Sequence, residues 1–182
     1  MKITRFLILL YCLCVSINNV YSQDNHIECN DAQYLCDKSP LFIPRLSDVS
    51  HLENFSGSTC FDPAFKATNA IWLKWQVSKP GDLFFTILPL VDLDDIDFVL
   101  YRLQKLDDCE GKVAVRCMAA GPDLGEDPSQ KSLCSGVTGL RPEASMDDHG
   151  SGCADNNDNF LRPIEVESGE SYALFINNFR SP

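Results

Sequence analysis

Basic residues are scarce in this chain, with 15 Lys and Arg against 26 Asp and Glu and a formal net charge of −11. An acidic surface repels phosphate backbones, so nucleic acids are excluded as partners. Histidine is also rare, with three residues in 182. The sequence contains no HExxH, no GxSxG and no glycine-rich phosphate loop, the motifs that carry metalloprotease, hydrolase and nucleotide chemistry. These absences favour a non-catalytic protein, and its length of 182 residues fits one domain.

A hydrophobic run long enough to span a bilayer is also lacking, since a spanning helix needs about 20 apolar residues. The longest apolar run, residues 6–17, has twelve and follows Lys2 and Arg5. A short apolar run after basic residues, with Val20 and Ser22 at the −3 and −1 positions of a cleavage site, is typical of a secretory signal. We therefore predict a signal peptide at 1–22 and a mature, secreted chain at 23–182 with no membrane span.

The cysteines contain no CxxC pair, which argues against a zinc site. Seven of the nine follow the signal segment, and in an exported protein they favour disulfides. Cys109 and Cys117 flank the turn-like residues 110–112, so we predict a bridge between them. The sequence leaves the other five unpaired, and because seven is odd one thiol is free, pairs outside the chain or lacks its partner. These five are Cys29, Cys36, Cys60, Cys134 and Cys153.

Hydrophobic alternation with period two predicts strands joined by Gly, Pro, Asp and Asn turns. No segment sustains an amphipathic helical period over three turns, although a short helix at 31–36 is a candidate. Residues 121–159 are rich in turn residues and predict a long loop region. The pattern indicates an all-β, antiparallel β-sandwich. The predicted strands lie at 71–77, 83–87, 97–103, 112–119, 163–166 and 172–179.

Two acidic runs are candidate calcium sites, because hard carboxylate oxygens bind Ca²⁺. The first holds Asp92, Asp94, Asp95 and Asp97, and strand alternation places Asp95 and Asp97 on one face. The second, residues 155–159, resembles the start of a calcium loop but has Phe160 where an EF-hand needs Gly. The alternative for both runs is a solvated turn whose carboxylates accept backbone N–H bonds.

Three aromatic residues are candidates for an exposed sugar-stacking face: Trp72, Phe84 and Tyr101. The alternative is core packing, since most aromatic side chains of a β-sandwich are buried between its two sheets. Trp75 is predicted to be core. Trp72 points to the opposite face, where the segment between Cys29 and Cys60 is a candidate to cover it. A hydrolase remains a further alternative, with Ser151 and His149 as fragments of such a site.

Six short motifs follow one another along the chain. They are CNDA from residue 29, IWLKWQV, PGDLFFTILP, DDIDFVLYRL, KVAVRCMAAG and VESGESYALFINNF. Over residues 27–179 this order resembles the β-sandwich modules of gliding-motility-associated proteins exported by the type IX secretion system, which are similar to the bacterial pre-peptidase C-terminal domain.

The resemblance implies a jelly-roll-like fold and a structural or adhesive role at the cell surface, within a longer secreted polypeptide. Its partners would be other domains of that polypeptide and surface glycans. The alternative is a carbohydrate-binding or enzyme-appended module. The resemblance also implies one more strand after 172–179, so that this strand is expected to leave an unpaired sheet edge.

Overall fold

The computed structural model describes residues 26–48, 60–61, 67, 69–91, 94–119, 136–151 and 157–179. These residues form strands, turns and loops without a helix, so the all-β prediction is confirmed. The strands within them are β1 Gln33–Tyr34, β2 Ser47–Asp48, β3 Asn69–Gln76, β4 Gly81–Leu83, β5 Phe85–Ile87, β6 Ile96–Leu103, β7 Val113–Ala119, β8 Thr138–Leu140, β9 His149–Ser151, β10 Phe160–Leu161, β11 Ile164–Val166 and β12 Ser171–Asn178.

A central sheet has the strand order β1-β3-β12-β6-β7-β9, and β2 also pairs with β3. The four long strands in its middle are antiparallel, as predicted. The short outer strands β1 and β9 are parallel to their neighbours, which makes the sheet mixed. Short edge strands of this kind carried no alternation in the sequence, so their direction could not be predicted.

β12 is the interior strand of this sheet. All eight of its residues are buried, and it pairs along its full length with β3 on one side and β6 on the other. The prediction of an unpaired edge beside residues 172–179 is therefore wrong. The strand is apolar on both faces because both faces of the central sheet are covered.

One face of the central sheet, which we call the sandwich face, carries Leu73, Leu100 and Leu174. It packs against a second layer made of two small sheets, β10-β8-β5 and β11-β4. The chain passes from one small sheet to the other at Phe84, between β4 and β5. Gly139 of β8 lies so close to β5 that a Cβ atom would stand 2.1 Å from the carbonyl oxygen of Phe85, which requires glycine there.

The opposite face, which we call the covered face, carries Trp72, Tyr101 and Phe175. It packs against residues 26–32 and 60–61, which we call the cover. The backbone N–H of Trp72 donates to the backbone carbonyl of His26, so the cover lies along β3. The structure thus adds a layer to the predicted two-layer sandwich.

Two local predictions are wrong for one physical reason. The candidate helix at 31–36 is a turn followed by β1, because Gln33 and Tyr34 pair with β3. The region 121–159, predicted as loop, contains β8 and β9, which pair with β5 and β7. In both places pairing with a distant strand overrides a weak local pattern.

Candidate functional site

Two disulfides fix the cover to the covered face. Cys29 is bonded to Cys109, with 6.0 Å between their Cα atoms, and Cys60 is bonded to Cys117 at 5.8 Å. Both separations fall in the range that a disulfide requires. The bridges span 80 and 57 residues of sequence, so each joins parts of the fold that are distant along the chain.

The predicted bridge between Cys109 and Cys117 is therefore wrong, and so is the assignment of Cys29 and Cys60 as unpaired. The hairpin is formed by β6 and β7, with Arg102 opposite Val113. Cys109 lies in its connection, whereas Cys117 lies inside β7 opposite Val99. Cys117 is four positions after Val113 in β7, which places it roughly 13 Å along the strand from the start of the hairpin. The two cysteines therefore do not face each other across the turn.

Cys36 is free and exposed within the described part of the chain. It follows β1 at the outer side of the central sheet. Cys134 and Cys153 lie outside the described residues. Cys36 therefore places a free thiol on the surface of the described part of the chain.

The covered face has an aromatic centre. The ring of Trp72 lies 5.6 Å from that of Tyr101 and 5.1 Å from that of Phe175, and Phe61 of the cover meets Phe175 at 6.2 Å. Lys112 Nζ stands 5.7 Å from the Trp72 ring centroid. Aromatic contacts of this geometry stabilise a core beyond the area that they bury.

The predicted sugar-stacking face is not formed. Trp72 and Tyr101 are fully buried, while Phe84 is 64% exposed in a different layer. Trp72 is covered at both ends of the predicted segment between Cys29 and Cys60, by residues 26–32 and 60–61, while residues 49–59 of that segment lie outside the described residues. Trp75 is only partly buried and stacks on Tyr172 at 6.1 Å, so of the two tryptophans Trp72 is the more deeply buried.

Lys74 holds the cover from inside the sheet, a role that the sequence did not reveal. Its side chain is 2% exposed, and Nζ donates to the backbone carbonyl of Asn30 at 3.0 Å while lying 4.6 Å from the Tyr34 ring centroid. The Asn30 side chain in turn accepts the backbone N–H of Cys109 at 3.3 Å. The Tyr34 hydroxyl donates to Asp107, so polar contacts tie the first strand to the β6–β7 connection.

Two carboxylates of the first acidic run are buried in the interior of the protein. Asp95 and Asp97 are 4% and 6% exposed at the start of β6, and Asp94 is half-buried. Burial raises the pKa of Asp97 well above its usual value, and the negative charge of Asp95 adds to this shift. Asp92 lies outside the described residues. The described part of the chain contains no group of three or more His, Cys, Asp or Glu that could hold a metal, so calcium stays a prediction.

The second acidic run forms a turn whose side chains bind its own backbone, at least in its described half. Asn157 Oδ1 accepts the N–H of Asn159 at 2.9 Å, and Asp158 Oδ1 accepts that of Phe160 at 3.1 Å. Arg141 donates to the second Asp158 oxygen at 2.7 Å. Asn159 has a φ of 62°, which Asn tolerates better than most residues. These bonds match the turn alternative rather than calcium ligation.

His149 makes an exposed hydrogen bond at the edge of the central sheet. Its Nδ1 lies 2.7 Å from Asp148 Oδ1, and this hydrogen bond holds the pKa of Asp148 below its usual value. Ser151 is exposed two residues along β9. Among the described residues no hydrogen bond joins it to His149, so the nucleophile–base contact of a serine hydrolase is not formed. His51 lies outside the described residues.

An apolar stripe runs along the outside of the second layer. Phe84 is 64% exposed, Leu88 73%, Leu90 65% and Val91 56%. Alternation turns Phe84, Leu88 and Leu90 outward, while Phe85 and Ile87 pack inward on the sandwich face. Within the described part of the chain β5 pairs with β8 on one side, so the stripe adjoins the end strand of this small sheet.

Comparison of the chain with family models, curated proteins and solved structures gives no match. No helix among the described residues has the length and apolar character needed to cross a membrane.

Proposed function

We propose that this chain is a non-catalytic extracellular β-sandwich module with a structural and adhesive role in a secreted or cell-surface protein. The observation that carries the proposal is the pair of long-range disulfides, Cys29–Cys109 and Cys60–Cys117, which bond the cover to one face of the central sheet. Disulfides of this kind form and persist in oxidising compartments outside the cytosol. They stabilise a module that must keep its shape without chaperones.

The polar residues singled out by the sequence support a structural role. Asn157 and Asp158 bond the backbone of their own turn, and Asp148 pairs with its neighbour His149. Each of these groups is thereby engaged in holding local structure. This favours a display module over the hydrolase alternative.

The apolar stripe of Phe84, Leu88, Leu90 and Val91 supports the adhesive part of the proposal. Residues 83–91 carry no charge, in a chain with a net charge of −11. Exposed apolar groups rimmed by polar residues mark interaction surfaces. We place the contact with surface glycans or with neighbouring domains of the same longer polypeptide on this stripe, the polypeptide being the type IX-secreted surface protein that the sequence resembles.

A glycan array with the oxidised protein tests the adhesive role. We expect binding to a subset of surface glycans that is lost in the Phe84→Ser, Leu88→Ser double variant. Val113→Ser is the matched control, because Val113 is 61% exposed elsewhere on the surface. Running the array in calcium and in chelator separates a metal-dependent contact from a direct one. Equal binding by wild type and the double variant would place adhesion elsewhere, and hydrolysis of an ester or peptide panel would contradict the non-catalytic role.

A further inference from the structure

The two faces of the central sheet differ in their cysteine content. The four cysteines bonded in the described structure, Cys29, Cys60, Cys109 and Cys117, all lie in the core of the covered face or against it. The core of the sandwich face is built from aliphatic and aromatic residues of β3, β6, β8, β10, β11 and β12, with Met118 as its buried sulfur-containing residue. Among the described residues, the disulfides therefore lie on one face of the sheet.

Besides the bridges, apolar packing and hydrogen bonds of the described residues attach the cover. Its buried apolar residues are Cys29, Ala32 and Phe61, with Ile27 and Cys60 partly buried. Its described polar links to the sheet and to the β6–β7 connection are the bonds from Trp72 N–H to His26 at 2.8 Å, from Lys74 Nζ to Asn30 at 3.0 Å and from Cys109 N–H to Asn30 at 3.3 Å. Beneath it lie the large aromatic side chains of Trp72, Tyr101 and Phe175, which pack in the same cluster as the cover.

We propose that the cover is a redox-released strap: reduction of Cys29–Cys109 and Cys60–Cys117 frees it from the covered face and exposes Trp72, while the sandwich face stays folded. The reductant is a dithiol. Its thiolate attacks one sulfur of a bridge to form a mixed disulfide, and its second thiol then displaces the protein thiolate. Each bridge gains two electrons and two protons and becomes two thiols, while the dithiol becomes a cyclic disulfide.

The sandwich face is expected to stay folded after reduction, because its described strand pairing and packing do not involve disulfides. β3, β12 and β6 are paired over eight residues each, and this ladder contains no cysteine. The second layer packs through Leu140, Leu161 and Val166, which belong to strands without cysteine. Loss of the bridges therefore removes the tethers of one layer and leaves the contacts of the other intact.

The two tryptophans report the two faces separately. Trp72 is fully buried under the cover, and Trp75 stacks on Tyr172 on the other side of the same strand. Trp75→Phe leaves Trp72 as the reporter, and Trp72→Phe leaves Trp75. On adding dithiothreitol we expect the Trp72 emission to shift to longer wavelength and its acrylamide quenching to rise severalfold, with no change for Trp75.

Hydrogen exchange on the wild-type protein tests release of the cover without a substitution in the core. The amide of Trp72, bonded to the cover, should exchange faster after reduction. The amide of Arg141, bonded to Leu161 in the second layer, should keep its protection. A variant with serine at Cys29, Cys60, Cys109 and Cys117 should behave as the reduced protein does, and this excludes effects of the reductant at Cys134 and Cys153.

The outcomes divide clearly. Release at Trp72 with protection kept at Arg141, in both the reduced protein and the serine variant, supports the strap. Loss of protection at both amides means that the molecule unfolds as a whole, which overturns the proposal. Protection kept at both means that noncovalent contacts hold the cover, which overturns it as well.

Discussion

At the scale of single residues, the most consequential side chain is Asp97, a carboxylic acid placed inside a sheet. Its pKa is raised above its value in the unfolded chain, first by burial and then by the charge of Asp95. The native state therefore holds a proton that the unfolded state releases. Between the unfolded and folded pKa values, stability falls as the pH rises, by up to about 1.4 kcal/mol per pH unit.

Asp97→Asn removes this titration while keeping the size and polarity of the side chain. We expect the variant to gain stability relative to wild type as the pH rises from 4 toward 7, measured as the free energy of unfolding in urea at each pH. Asp82→Asn, on an exposed residue of β4, is the control and should show no such trend. A gap between Asp97→Asn and wild type that stays constant across this range would contradict a proton held at Asp97.

Calcium is the other way to neutralise the same carboxylates. If the ion binds Asp94, Asp95 and Asp97, with Asp92 as a fourth ligand, millimolar calcium raises the melting temperature relative to a chelator. Saturating a site to 100 times its Kd stabilises the fold by about 2.7 kcal/mol. Asp94→Asn should reduce the shift. Identical melting curves in calcium and chelator would leave this run as part of the fold without a metal.

At the scale of elements, the long strands could be predicted from the sequence, whereas several of the shortest could not. β3, β6, β7 and β12 have seven or eight residues each, long enough for a run of apolar, aromatic or alternating residues to stand out. β1, β2 and β10 have two residues each and exist because a neighbouring strand pairs with them. The same limit applies to the disulfides, since Cys29 and Cys109 come together only through the fold.

Among the described strands, β5 ends its sheet whereas β12 is paired on both sides. The described partner of β5 is β8, and the apolar stripe projects beside the other edge of β5. An open apolar edge is a template for pairing between molecules. We expect concentration-dependent association of the wild-type protein in sedimentation velocity, and a monomer for Leu88→Lys because a charge on an edge blocks such pairing. Val113→Lys should associate as wild type does, and equal association of Leu88→Lys would move the contact to another surface.

At the scale of the whole molecule, the disulfides set the stability of the covered face. A native disulfide in a small secreted domain is worth roughly 2–5 kcal/mol, mainly because it restricts the unfolded chain. Cys29→Ser should lower the free energy of unfolding by this amount in denaturant melts. Cys36→Ser, at an exposed free thiol, is the control and should change it little. Equal losses in the two variants would show that Cys29 carries no bridge.

The disulfide pattern itself is the most direct test of a central sheet whose cover is bonded to one face. Trypsin cleaves after Lys112 and Arg116, so it separates Cys109 from Cys117. Non-reducing peptide mapping of the secreted protein should find residues 106–112 linked to the peptide that carries Cys29, and residues 117–131 linked to residues 46–66. A link between peptides 106–112 and 117–131 would restore the Cys109–Cys117 bridge and contradict the account.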